Sequence, residues 1–257
     1  MISIKTDSQI EKMKRAGKIL AIVLEKLKKA SKPGFSSGRL EILARDLMRE
    51  AGVKPAFLGY QNKGDKKSRP FPTALCVSLN DQLVHAPAFP SKVFQNGDLV
   101  SIDCGVIYQG FFADAAISFV SGQASPLAKK LIRVTKKSLD LAIAETRDGV
   151  RLGDVSSVVQ KYVEKNGFSV IRDLVGHGIG KDLHEEPAIP NFGNPGQGII
   201  LKKGMTLAIE PMVSAGGYEI NPSKDGWTIM VRDGSLSAHF EHTIVVTRNG
   251  AKILTKM

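Results

Sequence analysis

A repeated order of secondary-structure signals constrains the fold of this chain more than any single motif does. Two helical patterns followed by strand patterns occur in the first half, and the same order returns in the second. In each half, one of the helical segments lies between glycines fourteen residues apart, at Gly38 and Gly52 and at Gly153 and Gly167. Because each half has two helices and strands, we predict an α+β fold, in a single domain with related halves of approximately 1–122 and 123–257.

The strands of the two halves also end on acids at corresponding places. The segment "GDLVSID" ends at Asp103, and "GMTLAIE" ends at Glu210. A looser match relates "FADAAI" to "FEHTI", in which Asp114 and Glu241 each precede an isoleucine by three positions. Two halves that each contribute two carboxylates are expected to meet at a shared site.

The first pair of acids flanks a predicted turn, "YQG". A hairpin centred on the Tyr108–Gln109 bond would place Asp103 and Asp114 directly opposite each other, with Cβ atoms about 4.5–5.5 Å apart. Their neighbours are apolar or small, so two unpaired carboxylates would be costly to bury. A shared cation fits this context better than the alternative, two exposed acids on an edge strand.

The four acids together predict a metal site. Glu210 or Glu241 taken alone could be an ordinary acid at a strand end, engaged in a salt bridge. Four carboxylates with one histidine form an oxygen-rich set that suits two divalent ions of manganese, iron(II), cobalt or zinc. Paired ions of this kind activate water and polarise carbonyl groups. The predicted chemistry is metal-assisted hydrolysis.

The candidate histidines lie in "GHGIGKDLHEEP", residues 176–187. His177 and His184 are seven residues apart and do not match the H-E-x-x-H pattern of helical zinc sites. The residue pattern alone leaves open which of them, or of the adjacent acids, binds metal.

Composition bears mainly on partners and compartment. The net charge is +11 and the pI about 9.6, with basic clusters in "EKLKKASK" and "NKGDKKSR". Neither cluster has the interleaved aromatics of single-stranded nucleic-acid binders, so solvated basic faces are favoured over a nucleic-acid groove. The two cysteines are too few for a disulfide framework, and no apolar run approaches a membrane span. We expect a cytoplasmic protein without membrane attachment.

Several separated motifs carry a resemblance to a known family. The segments "SIDCGVIYQGFFAD", "GHGIGKDLHEEP", "AIEP" and "DGWT…SLSAHFEHTIVVT" resemble those of type I methionine aminopeptidases, over almost the whole chain. The resemblance implies a pita-bread fold and an enzyme that removes the initiator methionine of nascent polypeptides. It further implies hydroxide attack at a dinuclear divalent-metal site and a preference for small second residues. A monomer is expected.

The resemblance also implies roles for individual residues. The implied metal ligands are Asp103, Asp114, His177, Glu210 and Glu241, with Asp114 and Glu241 bridging both ions. Glu210 would also carry the proton of the attacking water. His184 would stabilise the negative oxygen of the tetrahedral intermediate, and His85 would contact the backbone nitrogen of the second residue. We interpret His239 and His242, which flank Glu241, as structural.

The same resemblance implies a methionine pocket. Its expected lining is Phe57, Tyr60, Phe71, Cys76, Leu183 and Trp227. An apolar, aromatic lining suits a thioether, since sulfur packs well against ring edges. Family members often have cysteine where Phe57 stands, an aromatic where Leu183 stands, and glycine where Ala86 stands. These departures concern the shape of the pocket.

Other interpretations remain open from the sequence. The basic segment 61–70, with Lys63, Lys66, Lys67 and Arg69, could help the protein dock on the ribosome or be a solvated loop. A proline-specific aminopeptidase or dipeptidase would share the fold and the metal ligands. A non-catalytic binding module on this fold and a nucleic-acid-binding protein are more distant alternatives.

Overall fold

The computed structural model describes residues 2–61 and 69–257, and these form an α+β structure. The predicted α+β class is confirmed. The helices are α1 (Asp7–Ala30), α2 (Ser37–Glu50), α3 (Pro126–Glu145) and α4 (Leu152–Lys165). The strands are β1 (Lys54–Pro55), β2 (Leu75–Leu79), β3 (Gln82–Val84), β4 (Leu99–Tyr108), β5 (Phe111–Val120), β6 (Ser169–Val170), β7 (Val175–Gly178), β8 (Glu185–Pro190), β9 (Thr206–Ile209), β10 (Met212–Ser214), β11 (Ile220–Pro222), β12 (Ile229–Val231), β13 (Ser237–His239), β14 (His242–Thr247) and β15 (Gly250–Ile253).

Local sequence signals explain where the helices begin. Thr6 caps α1, and a capping box forms because its hydroxyl accepts from the Gln9 backbone N–H while Gln9 Oε1 accepts from the Thr6 N–H. Ser125 caps α3, and Pro126 occupies the first helical position, where its missing N–H has no intrahelical partner to lose. Both starts agree with the sequence.

The repeated glycines have corresponding structural roles. A Cβ on Gly38 would lie 2.7 Å from the Phe89 ring, and one on Gly153 would lie 2.3 Å from the Asn194 carbonyl oxygen. Each glycine therefore lets the first turn of its helix approach a neighbouring loop. Their partners, Gly52 and Gly167, follow the helix ends with φ of 68° and 80°, a conformation that favours glycine.

Two groups of strands form the sheets that position the site. β4 pairs with β1, β2 and β5, and a second sheet has the order β15-β14-β9-β7-β8. Helices α1 and α2 pack on β2, β4 and β5 in one apolar core, and α3 and α4 pack in another that includes residues of β9 and β14. Two further three-stranded sheets have the orders β13-β10-β6 and β11-β12-β3.

The β4–β5 hairpin has a different register from the one predicted. Gln109 and Gly110 form a two-residue turn with φ of 49° and 78°, which is typical of the type I′ turn that fits the twist of a hairpin. The hairpin is therefore centred one residue later, and Asp103 pairs with Ala116. The prediction that Asp103 and Asp114 are directly opposite each other is wrong. They lie diagonally on the same face, because the shift is an even number of residues along β5.

The two sheets meet next to the acids. The Thr243 hydroxyl on β14 donates to the Asp114 carbonyl oxygen (2.8 Å) and accepts from the Asp114 backbone N–H (2.9 Å). The Glu241 backbone N–H donates to the Ala116 carbonyl oxygen at 3.0 Å. These bonds fix β5 against the start of β14.

Among the helices of the described residues, none is long and apolar enough to cross a membrane.

Candidate active site

One cavity of about 320 Å³ brings together all the residues predicted for the site. Its lining is Phe57, Tyr60, Phe71, Cys76, His85, Asp103, Asp114, His177, Leu183, His184, Glu210, Trp227 and Glu241. We call the predicted ligands the acidic cluster, namely Asp103, Asp114, His177, Glu210 and Glu241. We call the predicted pocket residues the apolar wall, namely Phe57, Tyr60, Phe71, Cys76, Leu183 and Trp227.

The carboxyls of the acidic cluster are withdrawn from water, and several of their oxygens have no hydrogen-bond partner among the described residues. Asp103 Oδ1, Asp114 Oδ1 and Glu241 Oε1 are buried and have no hydrogen-bond partner within residues 2–61 and 69–257. Burial raises the pKa of Glu210 to about 8, and burial together with the Glu210 charge raises the pKa of Asp114 to about 8. Buried acids with orphaned oxygens are expensive to ionise unless a cation neutralises them.

His177 presents the form of imidazole that binds metal. Its Nδ1 lies 2.9 Å from the Gly178 carbonyl oxygen, which can only accept, so Nδ1 carries the proton. The Nε2 lone pair therefore faces the cluster, 3.7 Å from Glu210 Oε1. Burial lowers the pKa of His177 to about 3, so the ring is neutral. A metal-binding histidine generally donates its other N–H in this way.

The donor atoms are close enough to share an ion. One atom from each of Asp114, His177 and Glu241 lies within 4.8 Å of the others, and the same holds for Glu210, His239 and Glu241. Burial, followed by the charge of Asp114, also raises the pKa of Asp103. Carboxylates with an imidazole nitrogen are donors that suit a divalent transition metal, and the residues present therefore fit such an ion.

His85 and His184 lie in the cavity beside this cluster. The His184 ring packs edge-on against His177 with centroids 4.4 Å apart, and its Nδ1 lies 2.6 Å from the Tyr60 hydroxyl oxygen. The contact with Tyr60 restrains the orientation of the His184 ring. His85 has φ of 57°, a backbone conformation that costs a non-glycine residue about 1 kcal/mol or more and that is concentrated at functional sites.

Aromatic edge contacts build the apolar wall. Phe71 meets Phe57 with ring centroids 6.4 Å apart and Trp227 with centroids 5.1 Å apart, both at nearly right angles. Leu183 is buried in the same apolar group. Burial, followed by the charge of Asp103, raises the pKa of the Cys76 thiol, so Cys76 contributes a neutral, packed side chain.

Gly105 allows the wall to approach the acidic cluster, and the sequence reasoning missed it. It pairs with Asp114 across the β4–β5 hairpin. A Cβ at this position would lie 2.8 Å from Ala56 Cβ and 2.9 Å from Phe57 Cε1. The signal was a glycine inside an otherwise apolar strand, which often marks a close approach of another chain segment.

His239 is a second residue whose position the sequence did not indicate. Its Nε2 lies 3.2 Å from Glu210 Oε2, whereas the Nδ1 of His242 lies 2.9 Å from the Thr255 hydroxyl. Burial lowers the pKa of His239 to about 3. The available signal was the spacing of His239 and Glu241, since residues two apart in an extended segment share a face.

Most of the basic set predicted to dock on the ribosome lies outside the described residues. Lys63, Lys66 and Lys67 lie outside the described residues, and Arg69 is the described member of that basic set.

Comparison with known proteins shows the class of enzyme to which this chain belongs. The model of metallopeptidase family M24 matches residues 11–248. The fold and the acid-rich cavity are therefore those of a metallopeptidase, an enzyme that uses a divalent metal.

Individual relatives narrow the class to a family. The chain is 44% identical to a methionine aminopeptidase of Clostridium acetobutylicum, with 99% of each chain covered. It is 50% identical to a methionine aminopeptidase of Thermotoga maritima of known structure, with both chains fully covered and a TM-score of 0.95. The chain belongs to the methionine aminopeptidases of metallopeptidase family M24. The predicted family and pita-bread fold are thereby confirmed.

A more distant structure shares the fold alone. The prolidase of Pyrococcus horikoshii is 21% identical and superposes with a TM-score of 0.77, covering 99% of this chain and 63% of its own.

Proposed function

We propose that this protein removes the N-terminal methionine from polypeptides, using two divalent metal ions held by the acidic cluster. The observation that carries the proposal is the single cavity in which the acidic cluster adjoins the apolar wall. An amino-terminal residue seated against the wall would have its carbonyl beside the acids. The unbranched thioether of methionine suits an aromatic and aliphatic lining.

The residues that would hold the ions are Asp103, Asp114, His177, Glu210 and Glu241. Their orphaned carboxylate oxygens and the His177 tautomer support this assignment. The chemistry that bound divalent ions supply here is activation of water and polarisation of the scissile carbonyl. Manganese, iron(II), cobalt and zinc all suit the donors.

The chain's own residues would move the protons and hold the substrate. Glu210 accepts a proton from the attacking water and passes it to the leaving amine, a role supported by its carboxylate lining the same cavity as the other acids and the apolar wall. His184, restrained by Tyr60, donates to the developing oxyanion. His85 contacts the backbone nitrogen of the second residue, from the rim of the same cavity.

The biological substrates of this protein are proposed from its membership of the family. We infer that the protein acts on nascent chains with a small second residue, as a cytoplasmic monomer. The single domain with halves 1–122 and 123–257 also stays a proposal. The corresponding glycines and the separate cores of α1–α2 and α3–α4 support it.

Peptide turnover by the metal-stripped protein tests the function. Single divalent ions are restored one at a time, and hydrolysis of Met-Ala-Ser and Ala-Pro-Ala peptides is measured beside the number of ions bound. We expect cleavage of Met-Ala-Ser alone, with two ions bound per chain. Cleavage of the proline peptide alone would support the prolidase alternative, and no cleavage under any ion would support a binding module.

Ribosome docking stays a separate prediction with its own test. Neutralising Lys63, Lys66, Lys67 and Arg69 together should weaken co-sedimentation with ribosomes if the segment docks there. Unchanged co-sedimentation would leave a solvated loop.

A further inference from the structure

His239 is a buried imidazole that the proposed reaction does not use. His239 is 1% exposed and lies at the end of β13. Its Nε2 atom lies 3.2 Å from Glu210 Oε2. Neither ring nitrogen makes a hydrogen bond with any of the described residues. An imidazole held in this way beside the proposed proton carrier requires an explanation.

The two histidines next to Glu210 differ in where they can hold a proton. Nδ1 of His177 has the Gly178 carbonyl oxygen as its acceptor, so Nε2 of that ring is free to bind metal. Nδ1 of His239 has no acceptor within the described residues. If Nε2 of His239 bound an ion, its Nδ1–H would be a buried donor without a partner, which is rare in folded proteins.

The opposite tautomer turns the N–H towards a carboxylate instead. With the proton on Nε2, the N–H of His239 is directed at Glu210 Oε2 with an N···O distance of 3.2 Å, a contact between a dipole and a carboxylate whose geometry falls short of a hydrogen bond, and Nδ1 is left as an unpaired acceptor. Orphaned acceptors are better tolerated than orphaned donors. The neighbouring carboxylate of Glu241 belongs to the same group of donor atoms, so the local charge also favours an N–H there.

We propose that His239 is a positioning residue for Glu210: its Nε2–H restrains the Glu210 carboxylate in the orientation from which it transfers protons. This inference rests on the proposed function of Glu210. It makes His239 a partner of the acidic cluster and assigns the metal ligands to the other members.

Two substitutions separate a hydrogen-bond donor from a space-filling ring. His239→Gln keeps an N–H donor of similar reach, whereas His239→Leu removes it. We expect His239→Leu to lower kcat on Met-Ala-Ser by about 10–100-fold, the usual effect of losing a partner of a metal-site residue, with little change in KM. His239→Gln should recover most of that loss. His242→Leu, which removes a ring bonded to Thr255, is the matched control and should leave kcat unchanged.

Metal titration and the tautomer give readouts independent of activity. Calorimetric titration of the metal-free variants with Mn²⁺ should show the wild-type number of ions in both His239 variants. In the Zn²⁺-loaded wild type, the ¹⁵N NMR signals of His239, identified by their absence in His239→Gln, should show the proton on Nε2. A proton on Nδ1 with a Zn²⁺-shifted Nε2, or loss of one bound ion in both variants, would overturn the proposal and make His239 a ligand.

The same experiment separates this inference from the proposed function. Wild-type protein that cleaves no methionine peptide under any ion would reject the function. Active wild-type protein with an equally active His239→Leu variant would reject the positioning role alone. If His239→Leu does not fold, His239→Gln and the NMR tautomer still decide the question.

Discussion

The acidic cluster and the apolar wall line the same cavity but are held by different forces. The acids lie on or directly beside paired strands, and the hydrogen bonds of those strands fix their positions. Most of the wall comes from loops: Phe57, Tyr60 and Phe71 lie between β1 and β2, and Trp227 lies between β11 and β12. The register of the paired strands therefore fixes the positions of the acids. The packing of side chains on loops determines the shape of the pocket.

The two regions also differ in the sign of their contribution to stability. The wall buries apolar surface and contributes favourably to folding. The acidic cluster brings like charges together in a poorly solvated place and opposes folding when no cation is bound. The predictions below test this contrast, beginning with the largest effect.

The acidic cluster should be essential for catalysis but not for the fold. Glu210→Gln keeps the size of the side chain and removes its ability to accept a proton. We expect kcat to fall by roughly 10²–10⁴-fold, the usual contribution of a general acid–base group. Circular dichroism should be unchanged.

Glu186→Gln is the control for that substitution, because it removes an exposed acid from β8, which β7 separates from β9. Its activity should match the wild type. Equal, small losses in both variants would contradict a special role for Glu210.

An ion pair from the N-terminal segment should stabilise the loop that carries Leu183 and His184. Lys5 Nζ lies 2.5 Å from Glu185 Oε2, and its side chain is 3% exposed. Glu185 Oε1 accepts from the Lys181 backbone N–H at 2.7 Å, closing this loop. Lys5→Met leaves a largely buried carboxylate without its cation, and we expect a loss of about 3 kcal/mol in urea unfolding.

A double-mutant cycle isolates the charge effect. Glu185→Gln keeps an acceptor for the loop and removes the charge, so Lys5→Met/Glu185→Gln should recover part of the loss. Additive effects of the two substitutions would indicate that the charges do not interact.

The metal-free protein should become less stable as the pH rises. Asp114 and Glu210 have pKa values of about 8 in the folded chain, against ordinary values near 4. Between these limits the folded state holds protons that the unfolded state has lost, so stability is present below about pH 4 and is lost as the pH rises towards 8. We expect Tm, measured by calorimetry, to fall by on the order of 5 °C between about pH 7 and about pH 8, an interval above the one in which the buried neutral His177 and His239 gain stability as the unfolded chain loses protons.

Two comparisons sharpen the pH prediction. Asp114→Asn should flatten the dependence, because it removes one of the groups that retain a proton. Saturating Mn²⁺ should reverse it, because the ion displaces protons from its ligands. A metal-free Tm that does not fall over this interval would contradict the raised pKa values of the two carboxyls.

The apolar wall should affect binding more than chemistry. Trp227→Ala removes the ring that packs on Phe71, and we expect KM for Met-Ala-Ser to rise about tenfold, or 1.4 kcal/mol. The kcat should change much less, because the acids do not depend on this contact. A fall in kcat with unchanged KM would contradict the division between wall and cluster.

The departures at Phe57 and Leu183 show why the wall was harder to interpret than the cluster. Phe57 and Leu183 are buried in the same apolar group. A different pair of apolar side chains could fill the same space. The sequence specifies that the wall is apolar. The shape of the cavity depends on loop conformations and on Gly105, whose missing Cβ admits Phe57.

The sequence by itself determined the helix starts, the α+β class and which acids belong together, because caps, periodicity and strand-end acids are encoded locally. Only the tertiary structure decided the hairpin register, since the positive φ of Gln109 depends on the twist of the paired strands. It also decided that His239 faces the acids. His239 lies far from His177 and His184 in sequence, and only the packing of β13 against the strands that carry the acids brings it to Glu210 beside the cavity. Long-range packing of that kind leaves no local signal.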